Sequence, residues 1–406
     1  MKKVICIALA LLMMVGLFTG CQQAQETQQP KQDAQQTTTT TETSEEAAPA
    51  AETVKFAVLA PITGNYAEFG KAFEVATKMA ADEINAAGGI NGRQIVLDVY
   101  DSKGDATESS DIARQLVEKD DVVGVIGDFS STACMANAPI FGDAGLVQLS
   151  PTASHSDFTP MNDYMFSIMG RTDDESRFFI TSLVKEYKGK DNIGIIYTNS
   201  DWGNQVNSSM MDQAGIDNVT VVADEPYTEG EIDFTNVLNK VKNQNPEMLV
   251  LVMQTVDCAN ALNAIAQMGW DIDVVCQGAS ASMQVIELAG ENAEGLCSTT
   301  SFFIDENVPE EKAWLDKFVE GAGFTPTVHA AVAYDAVYVM AEAAKSCGDN
   351  ITREGIKDGL KNLGTYQGFT GPIEFDETGA IFRKVLIVQI ENGKYVRRTD
   401  YTYGNQ

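Results

Sequence analysis

Short apolar runs alternate with helix-patterned segments along most of this chain, and no other feature restricts its fold as strongly. Val54-Lys55-Phe56-Ala57-Val58-Leu59 is an apolar stretch of strand length. In residues 71–86, Phe73, Ala76, Met79, Ala80 and Ile84 recur at the three- and four-residue intervals of one helix face. Gly88-Gly89 then stops the helix. The same reading predicts strands at 94–100, 122–126 and 146–149, with helices at 106–119 and 132–144. After Arg171 the alternation restarts, with helices at 173–187, 203–213, 234–244 and 259–268. Strands are predicted between them at 192–197, 219–223, 248–253 and around Val274-Val275. Parallel strands need crossover helices, which cover both faces of the sheet. Two successive sets of this kind predict an α/β protein of two Rossmann-like lobes, each with a parallel central sheet. A long helix at 328–345 must complete one lobe or both.

The N-terminus has a different character. Lys2 and Lys3 precede an apolar run at 4–18, which suits a signal peptide better than a membrane span. The run ends in Leu17-Phe18-Thr19-Gly20-Cys21, which is similar to the lipobox of bacterial lipoproteins, although Phe18 stands where an aliphatic residue is usual. That similarity implies a signal peptide at 1–20 and a lipidated Cys21; an uncleaved anchor is the alternative. Residues 22–52 contain no Val, Ile, Leu or aromatic residue. Such a segment cannot bury enough apolar surface to offset its ordering entropy, so 21–53 reads as a tether with a reach of roughly 30 Å.

Composition excludes several function classes. With Lys2 and Lys3 removed, the formal charge moves from −30 to −32 (26 basic against 58 acidic residues). Nucleic-acid binding needs clustered Lys and Arg and is not expected. Beyond Cys6 and Cys21 there are five scattered cysteines, Cys134, Cys258, Cys276, Cys297 and Cys347, without metal-ligand spacing. An exported chain can form disulfides, and Cys258–Cys276 is one conceivable pair. His155 and His329 are the only histidines, and no nucleophile elbow or phosphate loop is present. An enzyme is not expected.

In open α/β sheets, ligands bind beyond the carboxyl ends of the strands. Gly127-Asp128-Phe129-Ser130-Ser131-Thr132 follows one such end and opens a helix; Ser150-Pro151-Thr152-Ala153-Ser154 follows the next. Exposed N–H groups and hydroxyls there favour an anion, and a carboxylate between them could accept from Ser131 and Ser154. Ordinary N-capping is the competing explanation for each segment alone.

The chain resembles the branched-chain amino-acid binding proteins of ABC importers. Similar stretches are Pro61-Ile62-Thr63-Gly64 with Phe69-Gly70, Ile84-Asn85-Ala86-Ala87-Gly88-Gly89-Ile90-Asn91-Gly92, and Val125-Ile126-Gly127 with Ser130-Ser131. Ser150-Pro151-Thr152-Ala153-Ser154, Asp201-Trp202-Gly203, and Ala289-Gly290 with Ala293-Glu294-Gly295-Leu296 complete the set. The resemblance implies a type I periplasmic-binding-protein fold with a three-segment hinge. Lobe 1 would hold 54–170 plus 303–381, and lobe 2 would hold 171–302 plus 382–406. It implies that Ser131, with Ser130 beside it, binds a ligand carboxylate, that the Thr152 carbonyl takes an α-amine, and that Ser154 supports both. Phe69 and Trp202 fall where aromatics contact the ligand side chain. The family's acid for the ligand ammonium is missing, since Gln277-Gly278-Ala279-Ser280 stands there, and a family tyrosine is replaced by Gln254. Either Asp201 or Asp257 substitutes, or the ligand lacks a free α-amine. The implied protein is a monomeric, membrane-anchored, extracytoplasmic lipoprotein that needs no cofactor or metal. It would pass an amino acid or related carboxylate to an ABC permease; a sensory protein of the same fold is the alternative.

Overall fold

The computed structural model describes residues 53–402. The predicted signal peptide, Cys21 and tether, up to residue 52, lie outside the described residues. The chain opens with β1 (Thr53–Ala60), α1 (Ala67–Ala86), β2 (Gln94–Asp101), α2 (Ala106–Val117), β3 (Val122–Ile126), α3 (Ser131–Asp143), β4 (Gln148–Ser150) and β5 (Met165–Ser167). These strands form a five-stranded parallel sheet in the order β2-β1-β3-β4-β5. β1 is covered on both faces, which is why its sequence is apolar almost without interruption. β2 lies at the edge and is mostly half-buried, so polar residues interrupt it.

The second set is α4 (Thr172–Phe178), extended by a wider turn to Tyr187, then β6 (Asn192–Thr198), α5 (Asp201–Asp217), β7 (Thr220–Tyr227), α6 (Thr235–Lys242) and β8 (Met248–Val252). α7 (Thr255–Gln267), β9 (Asp273–Cys276), α8 (Met283–Ala289) and β10 (Cys297–Thr300) continue it. The remaining chain forms α9 (Pro309–Ala322), α10 (Val328–Ser346), α11 (Arg353–Lys361), the small ribbon β11 (Tyr366–Gly368) and β12 (Gly371–Ile373), then β13 (Leu386–Glu391) and β14 (Lys394–Thr402). The second sheet has seven strands in the order β14-β13-β10-β9-β8-β6-β7.

A purely parallel second sheet was expected, but β13 pairs antiparallel with β10, and β14 antiparallel with β13. Asn392-Gly393 joins β13 to β14, with φ of 52° and 70° at these two residues. That is the left-handed backbone of a two-residue hairpin turn, for which Asn-Gly is the strongest short sequence signal. α10 is apolar on nearly every face because it is enclosed: Val332, Ala336 and Met340 pack in one cluster with Phe56, Val58 and Ile126 of the first sheet. All five cysteines among the described residues are unpaired, and Cys258 and Cys276 share one core cluster as free thiols.

The main chain passes between the two sheets after β5, after β10 and before β13. Arg383 ties the first and last of these passages. Its Nε donates to the Ile168 carbonyl at 2.8 Å, and Nη1 donates to the Thr370 carbonyl at 3.0 Å and hydroxyl at 2.7 Å. Burial lowers the Arg383 pKa to about 10, against the pull of the Asp335 carboxylate, so it stays charged at neutral pH. Arg383→Met should therefore strand buried acceptors and leave Asp335 without its counter-charge, lowering unfolding free energy by about 3 kcal/mol. Urea denaturation measures this; a loss below about 0.5 kcal/mol would show that the passages are held by other contacts.

Candidate functional site

A cavity of about 380 Å³ opens where the loops at the carboxyl ends of both sheets face each other. On the first sheet's side, the chain leaves β3 through Gly127, whose φ is +118°. A Cβ there would stand 2.0 Å from the Leu59 carbonyl oxygen, so only glycine fits the turn. The turn delivers Asp128 to a fully buried position. Its carboxylate accepts from the Ser109 hydroxyl at 2.7 Å, the Ser102 hydroxyl at 3.1 Å and the Phe129 N–H at 2.5 Å. Burial still pushes its pKa above the usual carboxylate value.

Main-chain oxygens of the same loop hold the next one. The Ser150 hydroxyl donates to the Asp128 carbonyl at 2.8 Å, and the Thr152 hydroxyl donates to the Phe129 carbonyl at 2.7 Å. Ser130 caps α3 by accepting from the Ala133 N–H at 3.1 Å. Ser131 is the first residue of that helix, 3% exposed, and its hydroxyl accepts from the His155 N–H at 3.3 Å. Ser154 accepts from Thr172 through both its carbonyl and its hydroxyl, at 2.8 and 2.9 Å.

The second sheet's side is acidic. Asp174, Glu175, Asp201 and Glu229 all line the cavity there. Glu175 accepts from the Thr299 hydroxyl at 2.6 Å, and burial raises its pKa while that hydroxyl opposes the shift. Gly278 lies against it: a Cβ at 278 would stand 2.9 Å from Glu175 Oε1 and 2.8 Å from the Thr299 carbonyl oxygen. The absence of a side chain at 278 thus makes the room that the Glu175 carboxylate fills. Glu229 accepts from the Tyr66 hydroxyl, a bond that joins the two sides of the cleft, and burial raises its pKa as well. Arg171, Arg383 and His329 also line the cavity; Arg171 bonds to Asp376 and Thr378, while Arg383 uses Nε and Nη1 on Ile168 and Thr370 and leaves its buried Nη2 without a partner.

Of the residues singled out from sequence, Ser130, Ser131, Thr152, Ser154, Asp201, Trp202, Gln254 and Gly278 all line this one cavity. Trp202 sits at the start of α5, half-buried against a core cluster. Phe69 does not reach the lining; it lies beneath it, 2% exposed, with its ring stacked on Phe129 at 4.5 Å. Tyr66, one helical turn earlier, is the aromatic that reaches the cavity. Asp257 lines a neighbouring cavity, where it accepts from the Tyr227 hydroxyl at 2.8 Å and the Gly230 N–H at 3.2 Å.

Glu175 and Glu229 were missed. Glu175 looks like an ordinary acid in the first turn of a helix. β7 runs four residues past its predicted end, to Tyr227, so the loop holding Glu229 is also a strand-end loop. Pro226 lies within that extension and is tolerated because β7 is an edge strand.

The family described as "Periplasmic binding protein" matches residues 53–394. A leucine-, isoleucine-, valine-, threonine- and alanine-binding protein of Pseudomonas aeruginosa is 24% identical over 331 residues, covering 81% of this chain and 87% of the relative. Among solved structures, a putative branched-chain amino acid ABC transporter from Rhodospirillum rubrum is 30% identical with a TM-score of 0.66, covering 85% of this chain and 100% of the other. The branched-chain amino acid transporter substrate binding protein LivJ from Streptococcus pneumoniae, in complex with isoleucine, is 26% identical with a TM-score of 0.77 and covers 86% and 100%.

His329 also lines the cavity, 4% exposed, edge-on to Phe69 and Phe129 at 4.9 and 5.5 Å. Burial lowers its pKa to about 4. The unfolded chain would take up this proton below about pH 6.5, whereas the folded chain resists it down to about 4, so stability from this group falls as pH falls through that window. The loss approaches ~3 kcal/mol at the acid end. Equilibrium unfolding of wild type and His329→Phe from pH 7 to 4 should show the smaller acid loss in the variant. Parallel curves would refute this.

Proposed function

The chain belongs to the periplasmic binding protein family, and on that premise we propose that it is the extracytoplasmic solute-binding component of an ABC importer for an amino acid. The observation that carries this reading is the polarity of the cavity: hydroxyls and a helix N-terminus on one side, carboxylates on the other. A zwitterion matches both sides; a simple carboxylate matches only the first. Ser131 would receive the ligand carboxylate through its hydroxyl and N–H, with Ser130 and Ser154 beside it. The hydroxyl of Thr152 is committed to Phe129, so its carbonyl would take the ammonium, together with Glu175. The acid expected near 278 is then supplied from α4 instead, and neither Asp201 nor Asp257 is needed for it. Trp202 and Tyr66 would face the ligand side chain.

In this proposal lobe 1 is 54–170 plus 303–381, lobe 2 is 171–302 plus 382–406, and hinge closure brings the acid-bearing lobe onto a ligand held by the other. Lipidated Cys21 and the tether would hold the domain near its permease. The relatives named above, one of them bound to isoleucine, support an aliphatic amino acid as the first solute to try.

Isothermal titration against L-leucine, its 2-oxo acid and benzoate separates the possibilities. The amino acid should bind, with both desamino compounds about tenfold weaker or more. Ser131→Ala should weaken all carboxylates, and Glu175→Gln only the amino acid, each by roughly ten- to a hundredfold. Tighter binding of benzoate or the oxo acid would remove the ammonium half of the reading. An unaffected Ser131→Ala would remove the carboxylate half.

A further inference from the structure

Of the cysteines among the described residues, only Cys258 and Cys276 share a core cluster. The strand register explains why. Cys276 is the last residue of β9 and stands beside Leu251 of β8 and Ser298 of β10. Side chains alternate along a strand, so Cys276 faces the same side of the sheet as Leu249 and Leu251. Cys297 stands beside Val275 and points to the other side, with Val250 and Val252.

α7 covers the first of these faces. Its residues Cys258, Ala261, Leu262 and Ile265 recur at three- and four-residue intervals, and all are buried with Leu249, Leu251 and Cys276. α7 begins just past the carboxyl end of β8, which places its first turn, with Cys258, over that end of the sheet. β9 ends there too, in Cys276. The two thiols are within hydrogen-bonding reach of each other, and both residues are fully buried. Packing alone asks only for small apolar side chains at these positions. What distinguishes two adjacent thiols is the reaction open to them.

We infer that Cys258 and Cys276 are a redox pair that closes into a disulfide between the first turn of α7 and the end of β9. The oxidant is an external disulfide, either a small molecule or a thiol–disulfide oxidoreductase. One cysteine attacks it as thiolate, forming a mixed disulfide and releasing one external sulfur. The second cysteine attacks the mixed disulfide and expels the other. Two cysteine S–H bonds are lost and one S–S bond forms in the protein, while the external disulfide takes up both electrons and both protons as two thiols. The extracytoplasmic setting proposed above permits the product, and the inference does not depend on which solute binds. The neighbouring thiol and burial hold Cys276 well above its ordinary pKa, and exchange needs a thiolate. The pair therefore reacts while the chain folds, or when the first turn of α7 opens.

The bridge has a bearing on the cleft. Cys276 directly precedes Gln277 and Gly278, and Cys258 lies one helical turn after Gln254; those three residues line the solute cavity. A disulfide would tie these two parts of the wall together from beneath, and would close a loop of 18 positions (258 to 276) in the unfolded chain.

The test uses the intact chain, refolded either in a mixture of oxidised and reduced glutathione or in dithiothreitol. Each sample is alkylated with iodoacetamide under denaturing conditions and digested for mass spectrometry. The glutathione sample should contain the 258 and 276 peptides cross-linked, two hydrogens lighter than the reduced pair, with Cys134, Cys297 and Cys347 alkylated. Its Tm should lie about 4 °C above that of the dithiothreitol sample, a difference that Cys258→Ser removes. Alkylation of both Cys258 and Cys276 in the glutathione sample overturns the inference, as does glutathione attached to either one without the cross-link. A bridge from either to a different cysteine overturns it too, and so does a cross-linked protein whose Tm is unchanged or lower. If Cys258→Ser does not refold, the wild-type peptide masses decide the pairing. Reducing the cross-linked protein with dithiothreitol then supplies the Tm comparison without a substitution.

Discussion

The binding face of this molecule depends on one buried carboxylate. Asp128 lies beneath the cleft in the loop after β3, where an unsatisfied charge would be prohibitive, and three donors from three separate segments converge on it. Its own carbonyl and that of Phe129 then capture Ser150 and Thr152 from the following loop. Two loops that are distant in sequence thus become one rigid body. The hydroxyls that face the cavity are fixed by these backbone and side-chain bonds before any solute arrives, which spares the ligand the entropy of arranging them.

The opposite wall is organised by exclusion. Gly278 and Glu175 compete for one volume, and the chain has a side chain at only one of the two positions. A larger residue at 278 would collide with the carboxylate and with the Thr299 carbonyl, so the acid belongs to α4 while the strand-end loop merely makes space. A helix thus supplies the carboxylate at this wall in place of the strand-end loop.

That substitution marks the limit of what the sequence discloses. The strand and helix order was legible because burial on both faces enforces apolar runs such as Phe56–Leu59, and helices reveal their period through residues such as Phe73, Ala76 and Ala80. The hydroxyl loops were legible because they sit next to strands in the chain. Glu175 and Glu229 were not, since nothing local distinguishes an acid that caps a helix from one that also faces a cavity. Phe69 shows the converse: its neighbourhood suggested a ligand contact, yet three-dimensional packing places it under Phe129, with Tyr66 in front. The Asn392-Gly393 pair is a hairpin signal in its own right, although the alternation read from the sequence assigns no strand on either side of it.

The bond between Tyr66 and Glu229 has a kinetic meaning. It joins one side of the cleft directly to the other, and Ser282 with Glu68 does the same nearby. Neither contact includes the solute, so part of the free energy that keeps the cleft shut belongs to the protein alone. Escape of a captured molecule must wait for these clasps to break, and its residence time reflects them as well as its own contacts. Any force that draws the two sides apart would act on the clasps first, and could free molecules of quite different affinity at similar speeds.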